Sequence, residues 1–267
     1  MHTLLKTSAL LGLLAMASCK QKSQEQQTTT DSTLAQVKVD STNMFPKETD
    51  YQITVQMPGT FHEGQVPLDS DKKSWVGIFQ TEKGFELKTT GISLEMVHDE
   101  MIDEKPDAKT GIQINIAQKD TCLLLIESQS YLKDHVIAPL TLSKTEFYPN
   151  DAIEFEYLGV KYKLFAVGKK EISKDDPNQI LVTDYTLSIS FTKEGKNYTN
   201  VLLRQPRFDS KIATVQFAGD IDGDGILDLV LDAATYYNDI NSTLYLSKIA
   251  KGTQGVTIAG GFTAGVD

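Results

Sequence analysis

Cysteine is almost absent: Cys19 and Cys122 are the only two in 267 residues. No disulfide framework can hold such a chain together, so a buried core has to do it. Positive charge is also in the minority, with 26 Lys and Arg against 36 Asp and Glu and a net charge of −10. That balance argues against nucleic acid and against electrostatic docking on anionic lipid. The apolar run from Ala9 to Ala17 is nine residues long, too short to span a bilayer. No stretch sustains a helical period, and no internal repeat of useful length is visible. The HExxH of zincins, the GxSxG nucleophile elbow and a phosphate-cradling glycine loop are all missing. His62, His98 and His135 stand apart from one another in sequence. Glu154 and Glu156 share a strand face and read as solvated rather than as a glycosidase pair, which needs a cleft. The acidic stretch His98 to Asp107 matches no metal-loop spacing and reads as a solvated loop.

What is present is concentrated in Asp220-Ile221-Asp222-Gly223-Asp224-Gly225-Ile226-Leu227-Asp228. Four carboxylates fall at positions 1, 3, 5 and 9 of a glycine-containing loop. Unpaired, they repel one another, and a cation resolves the repulsion. The spacing reads as calcium, which takes six to eight oxygen ligands at about 2.3–2.6 Å. Asp220, Asp222 and Asp224 alternate, so their side chains can turn to one centre. Gly225 supplies permissive backbone angles at position 6. The Ile226 carbonyl is the backbone ligand at position 7, and Asp228 closes the shell. An EF-hand requires Glu at position 12, where this chain has Leu231. The following residues alternate, with Leu227, Leu229 and Leu231 on one parity, which predicts a strand with one buried face. A metal-free acidic turn is the competing reading.

Phe217-Ala218-Gly219, the loop itself and Leu227-Asp228-Leu229-Val230 together resemble an FG-GAP/VCBS-type calcium loop. Propeller families carry several such loops; this chain carries one. Residues from about Asp151 to Ala250 resemble uncharacterised bacterial lipoproteins that end in a single loop of this kind. Tyr236-Tyr237-Asn238 and Thr243-Leu244-Tyr245-Leu246-Ser247 extend the likeness. The resemblance implies a calcium-loop β-protein and assigns no activity.

The N-terminus reads as a secretory signal, weakly basic and then apolar. Met16-Ala17-Ser18-Cys19 resembles a bacterial lipobox, with Met where Leu is usual. The resemblance implies a lipoprotein signal peptide over residues 1–18 and lipidation of Cys19. Residues 19–50 are rich in Gln, Thr, Ser and Lys and cannot bury enough apolar surface to order themselves. They read as a tether whose flexible part, about 30 residues, has an r.m.s. span near 30 Å. Lys20 does not resemble the Asp that signals inner-membrane retention, so the outer membrane, facing the periplasm, is the expected address. Cys122, in the apolar run Cys122 to Ile126, reads as a small buried hydrophobe.

Residues 51–267 form a β-rich domain. Strand patterns cover 51–57, 75–79, 85–88, 92–97, 112–116, 122–126, 151–157, 161–166, 185–191 and 198–203, with turns at Pro58-Gly59, Glu82-Lys83-Gly84, Gly159 and Lys193 to Lys196. Residues 120–132 leave room for a short helix, and Gly260-Gly261 reads as a turn. The expected fold is mainly β, either an antiparallel sandwich-like unit or two small β-modules with a seam near 143–150. The expected function is a calcium-binding envelope lipoprotein, anchored in the bilayer through Cys19 and serving as a binding or structural module. The alternatives are a calcium-dependent envelope hydrolase and a carbohydrate- or peptide-binding module. Tyr236 and Tyr237 bear on the last, although packing in the core or a turn is the reading preferred for them.

Overall fold

The period-two alternation in the body of the chain folds as antiparallel β throughout. The computed structural model describes residues 44–265, except 175, 176 and 178. The signal segment, Cys19 and the tether up to residue 43 lie outside the described residues. Among the described residues the strands are β1 (Val55–Gln56), β2 (Gly59–Phe61), β3 (Trp75–Thr81), β4 (Gly84–Thr90), β5 (Ile92–Val97), β6 (Gly111–Ile116), β7 (Thr121–Glu127), β8 (His135–Ile137), β9 (Ala152–Tyr157), β10 (Val160–Ile172), β11 (Ile180–Lys193), β12 (Lys196–Phe208), β13 (Thr214–Gly219), β14 (Asp228–Asp232), β15 (Asp239–Leu246) and β16 (Thr257–Gly265). They form four sheets, ordered β1-β7-β3-β4-β8, β2-β6-β5, β12-β11-β10-β9 and β13-β14-β15-β16. The fold is mainly β and sandwich-like, with every neighbouring pair antiparallel.

Tight turns set the register. Leu158 and Gly159 sit at φ 47° and 79°, and Glu194 and Gly195 at 50° and 73°. Two consecutive left-handed residues match the right-handed twist of the flanking strands, so each pair closes a two-residue hairpin. The hairpins they close, β9–β10 and β11–β12, were legible in the sequence, as was β3–β4, which turns at Glu82 and Lys83.

The sheet β13–β16 lies between two cores. Phe217, Val230, Leu244 and Leu246 pack into a cluster with Trp75, Ile78, Leu124 and Ile126 from the N-terminal half. Leu229, Leu231 and Tyr245 pack into a second cluster with Leu164, Leu187 and Ile189 of the long-stranded sheet. Leu229, Val230 and Leu231 are therefore all buried. This corrects the expectation that β14 has one buried face. Its polar residues, Asp228 and Asp232, are confined to the strand ends, and the central residues are apolar on both parities.

Two further expectations are corrected. Residues 121–127 are strand β7, and no helix lies within 120–132. Gly260 and Gly261 are inside β16 rather than in a turn. A Cβ on Gly260 would lie 2.3 Å from the Ile53 carbonyl oxygen, and one on Gly261 would lie 2.3 Å from the Tyr51 ring. Glycine marks a close approach here, because Gln52 and Ile53 both donate their N–H groups to the Ala259 carbonyl. Around residues 143–150, Phe147 is fully buried and Tyr185 Oη–H donates to its carbonyl at 2.8 Å. Cys122 is a free, buried thiol pushed up to about 12 by desolvation.

Candidate metal centre

The loop joins β13 to β14 at one end of the central sheet. Its backbone is shaped by its own carboxylates. Asp228, fully buried at the start of β14, accepts the Ile221 N–H at 2.7 Å and the Asp222 N–H at 3.0 Å on Oδ2. Its Oδ1 accepts the Ser247 N–H at 2.7 Å. Asp220 accepts the N–H groups of Asp224 and Gly225, each at 2.9 Å. Asp224 Oδ1 accepts the Ile226 N–H and the Ser247 hydroxyl, each at 2.8 Å. Gly223 and Gly225 sit at φ 74° and 80°, the left-handed backbone that favours glycine, and turn the loop twice.

One side-chain oxygen from each of Asp220, Asp222 and Asp224 lies within 4.8 Å of the others. Oxygens on opposite sides of a calcium ion, at about 2.4 Å from it, stand about 4.8 Å apart. Asp222 is the informative member. It is 3% exposed, and its Oδ2 accepts the Lys248 N–H at 2.9 Å. Its Oδ1 is buried and has no hydrogen-bond partner. An unpaired buried carboxylate oxygen is costly. Burial, with the charges of Asp224 and Asp220 adding to it, pushes the Asp222 carboxyl up to about 6, against the opposing Lys248 N–H. Asp228 is raised as well, by burial first and by the Asp222 charge second. A cation at the centre reverses both effects, because it favours the ionised form.

Of the five residues singled out by spacing, three bring side-chain oxygens together. Asp228 braces the loop through three main-chain donors, and Ile226 lies in the loop with its N–H on Asp224. Spacing does not point to the residues that fasten the loop from outside. Tyr157 Oη accepts the Asp220 N–H at 2.8 Å and donates to the Ala138 carbonyl at 2.6 Å. Tyr162 Oη accepts the Leu227 N–H at 3.2 Å. Burial pushes both phenols up to about 12, so they stay neutral beside the carboxylates. His135 Nε2 stands 3.1 Å from the Asp220 carbonyl. These contacts link positions 63, 65 and 85 residues apart, a range at which local spacing carries no signal.

Other segments fall elsewhere. Within the acidic stretch, Asp99 and Asp103 are tied rather than solvated. Asp99 Oδ2 lies 2.7 Å from His62 Nδ1, and that ring holds its carboxyl below the usual range. Asp103 accepts from Asp99 N–H and from Thr110. Glu154 and Glu156 are exposed, beside a cavity of about 640 Å³ on the β9–β12 sheet. Tyr236 and Tyr237 are exposed and adjacent, with ring centroids 6.1 Å apart, contrary to the preference for packed rings. They follow β14, whereas the acidic loop precedes it, so they stand beyond the other end of that strand. No protein-family model, no curated protein and no solved structure matches this chain.

Proposed function

We propose that this chain is a calcium-binding lipoprotein of the cell envelope, with an FG-GAP/VCBS-like loop, acting as a binding or structural module. Calcium sits among Asp220, Asp222 and Asp224, with the Ile226 carbonyl and Asp228 completing the protein's share of the shell. The observation that carries this reading is the buried, unpartnered Oδ1 of Asp222, a residue whose carboxylate gathers with those of Asp220 and Asp224. The ion neutralises the loop and so steadies the start of β14, the strand buried between the two cores. Lipidated Cys19 holds the protein to the outer membrane, facing the periplasm. In this reading the acyl chains on Cys19 supply the anchor; no described helix is long and apolar enough to cross a membrane.

The test is the melting temperature in EDTA, then with calcium, then with magnesium. Calcium at about 100 times its dissociation constant adds about 2.7 kcal/mol, a rise of roughly 5–10 °C for a domain of this size. A rise with calcium that Asp224→Ala abolishes supports the site. No metal by elemental analysis, together with no response to any cation, reduces the loop to an acidic turn. A second reading, a carbohydrate- or peptide-binding module, is favoured by the exposed pair Tyr236 and Tyr237. Glycan or peptide arrays probed with wild type and with a Tyr236→Ala/Tyr237→Ala variant test it.

A further inference from the structure

We infer that Tyr157 and Tyr162 are positioning residues for the cation loop, and that through them cation binding and the docking of the β9–β12 sheet form one coupled equilibrium. The inference rests on the calcium reading and deepens it. Both phenols come from the β9–β10 hairpin, which belongs to a different sheet from the loop. Asp220 opens the loop and Leu227 closes it, and the hairpin holds the N–H of each at 2.8 and 3.2 Å. Neither hydroxyl contacts a carboxylate of the loop through these bonds; each acts through the main chain.

The hairpin is a firm anchor. Tyr162 stacks on Phe155 at 5.6 Å and packs against Phe191 at 4.8 Å, and Phe191 stacks on Tyr198 at 4.8 Å. These four rings are cross-strand partners, one from each strand of the sheet. Tyr157 adds a bond to Ala138, so a third segment is tied in. Crowded carboxylates push a loosely held loop open. With both ends fastened, the entropy of ordering the loop is lost on folding and not again on binding. Linkage makes the effect reciprocal: a bound cation holds the hairpin against the loop by the same factor.

Calorimetric calcium titrations of the full chain test this with wild type, Tyr157→Phe and Tyr162→Phe, each measured well below its cation-free melting temperature. The control is Tyr185→Phe, which removes another buried hydroxyl from the same sheet, one bonded to Phe147 and not to the loop. The expected result is calcium affinity roughly tenfold weaker in each loop-facing variant, within the usual span of coupling factors, and unchanged in Tyr185→Phe. Hydrogen exchange adds a readout that a merely structural role does not move. Calcium slows exchange in β9 and β10 of wild type, and the slowing shrinks in Tyr162→Phe. Equal affinities in all four proteins, with only the cation-free melting temperature lowered, overturn this inference and leave the calcium site standing. A wild-type chain that takes up no calcium overturns the site and this inference together.

Discussion

Asp222 is a buried carboxylate with one oxygen bonded to the Lys248 N–H and the other unpartnered. Without a cation, its ionised form opposes folding. Its carboxyl titrates near 6 in the fold, against 3.8 for the ordinary group. Between those values the folded chain holds a proton that the unfolded chain has released, so stability falls as pH rises through that window. Asp222→Asn removes the titration. In cation-free solution the variant should therefore melt higher than wild type at about pH 7, with the gap closing toward about pH 4. The variant should also lose its calcium response. A gap that does not change with pH contradicts the assignment. Asp228 behaves differently. Truncation by Asp228→Ala leaves the N–H groups of Ile221, Asp222 and Ser247 without their acceptor. The expected loss is about 3 kcal/mol or more, measurable by urea unfolding in EDTA.

At the scale of elements, β14 and β16 are the informative strands. Leu229 and Val230 point into opposite cores. A strand with one buried face tolerates a polar group on its other parity; this one should not. Val230→Asp is expected to abolish the cooperative thermal transition, and Leu229→Ala to cost about 2–5 kcal/mol. An unfolded fraction no larger than wild type in Val230→Asp contradicts the two-core arrangement. In β16, Gly260→Ala places a methyl group against the Ile53 carbonyl. The expected cost is about 1–3 kcal/mol from overpacking, read as a lower midpoint in denaturant with an unchanged slope. The hairpin strands were legible because less buried positions alternate with more buried ones along β9 and much of β10 and β11, interrupted in β11 at the bulge beside Ser188. In β14 the buried residues run consecutively, and in β16 the glycines resemble turn residues. Period and propensity misread both, because each strand owes its place to layers contributed by distant segments.

At the scale of the molecule, the central sheet is where the ion site meets the core. The loop is fastened from β9 and β10 by tyrosines, from β8 by His135, and from the end of β15 by Ser247 and Lys248. Cation binding at this junction should stabilise the fold broadly rather than at one turn. Calcium is then expected to slow the exchange of amides deep in β14 and β15 as well as in the loop. Protection confined to residues 220–228 contradicts that expectation.

The amino-acid sequence by itself determined the β class, the two-residue hairpins and the set of carboxylates at the candidate centre. These are written in spacing: alternation of period two, glycine in tight turns, aspartates at positions 1, 3 and 5 of one loop. The tertiary structure alone decided that β14 is buried on both faces, that Gly260 and Gly261 lie in a strand, and that two tyrosines hold the loop ends. Those features depend on side chains that meet across more than 60 residues of chain, and the packing of whole sheets brings them together.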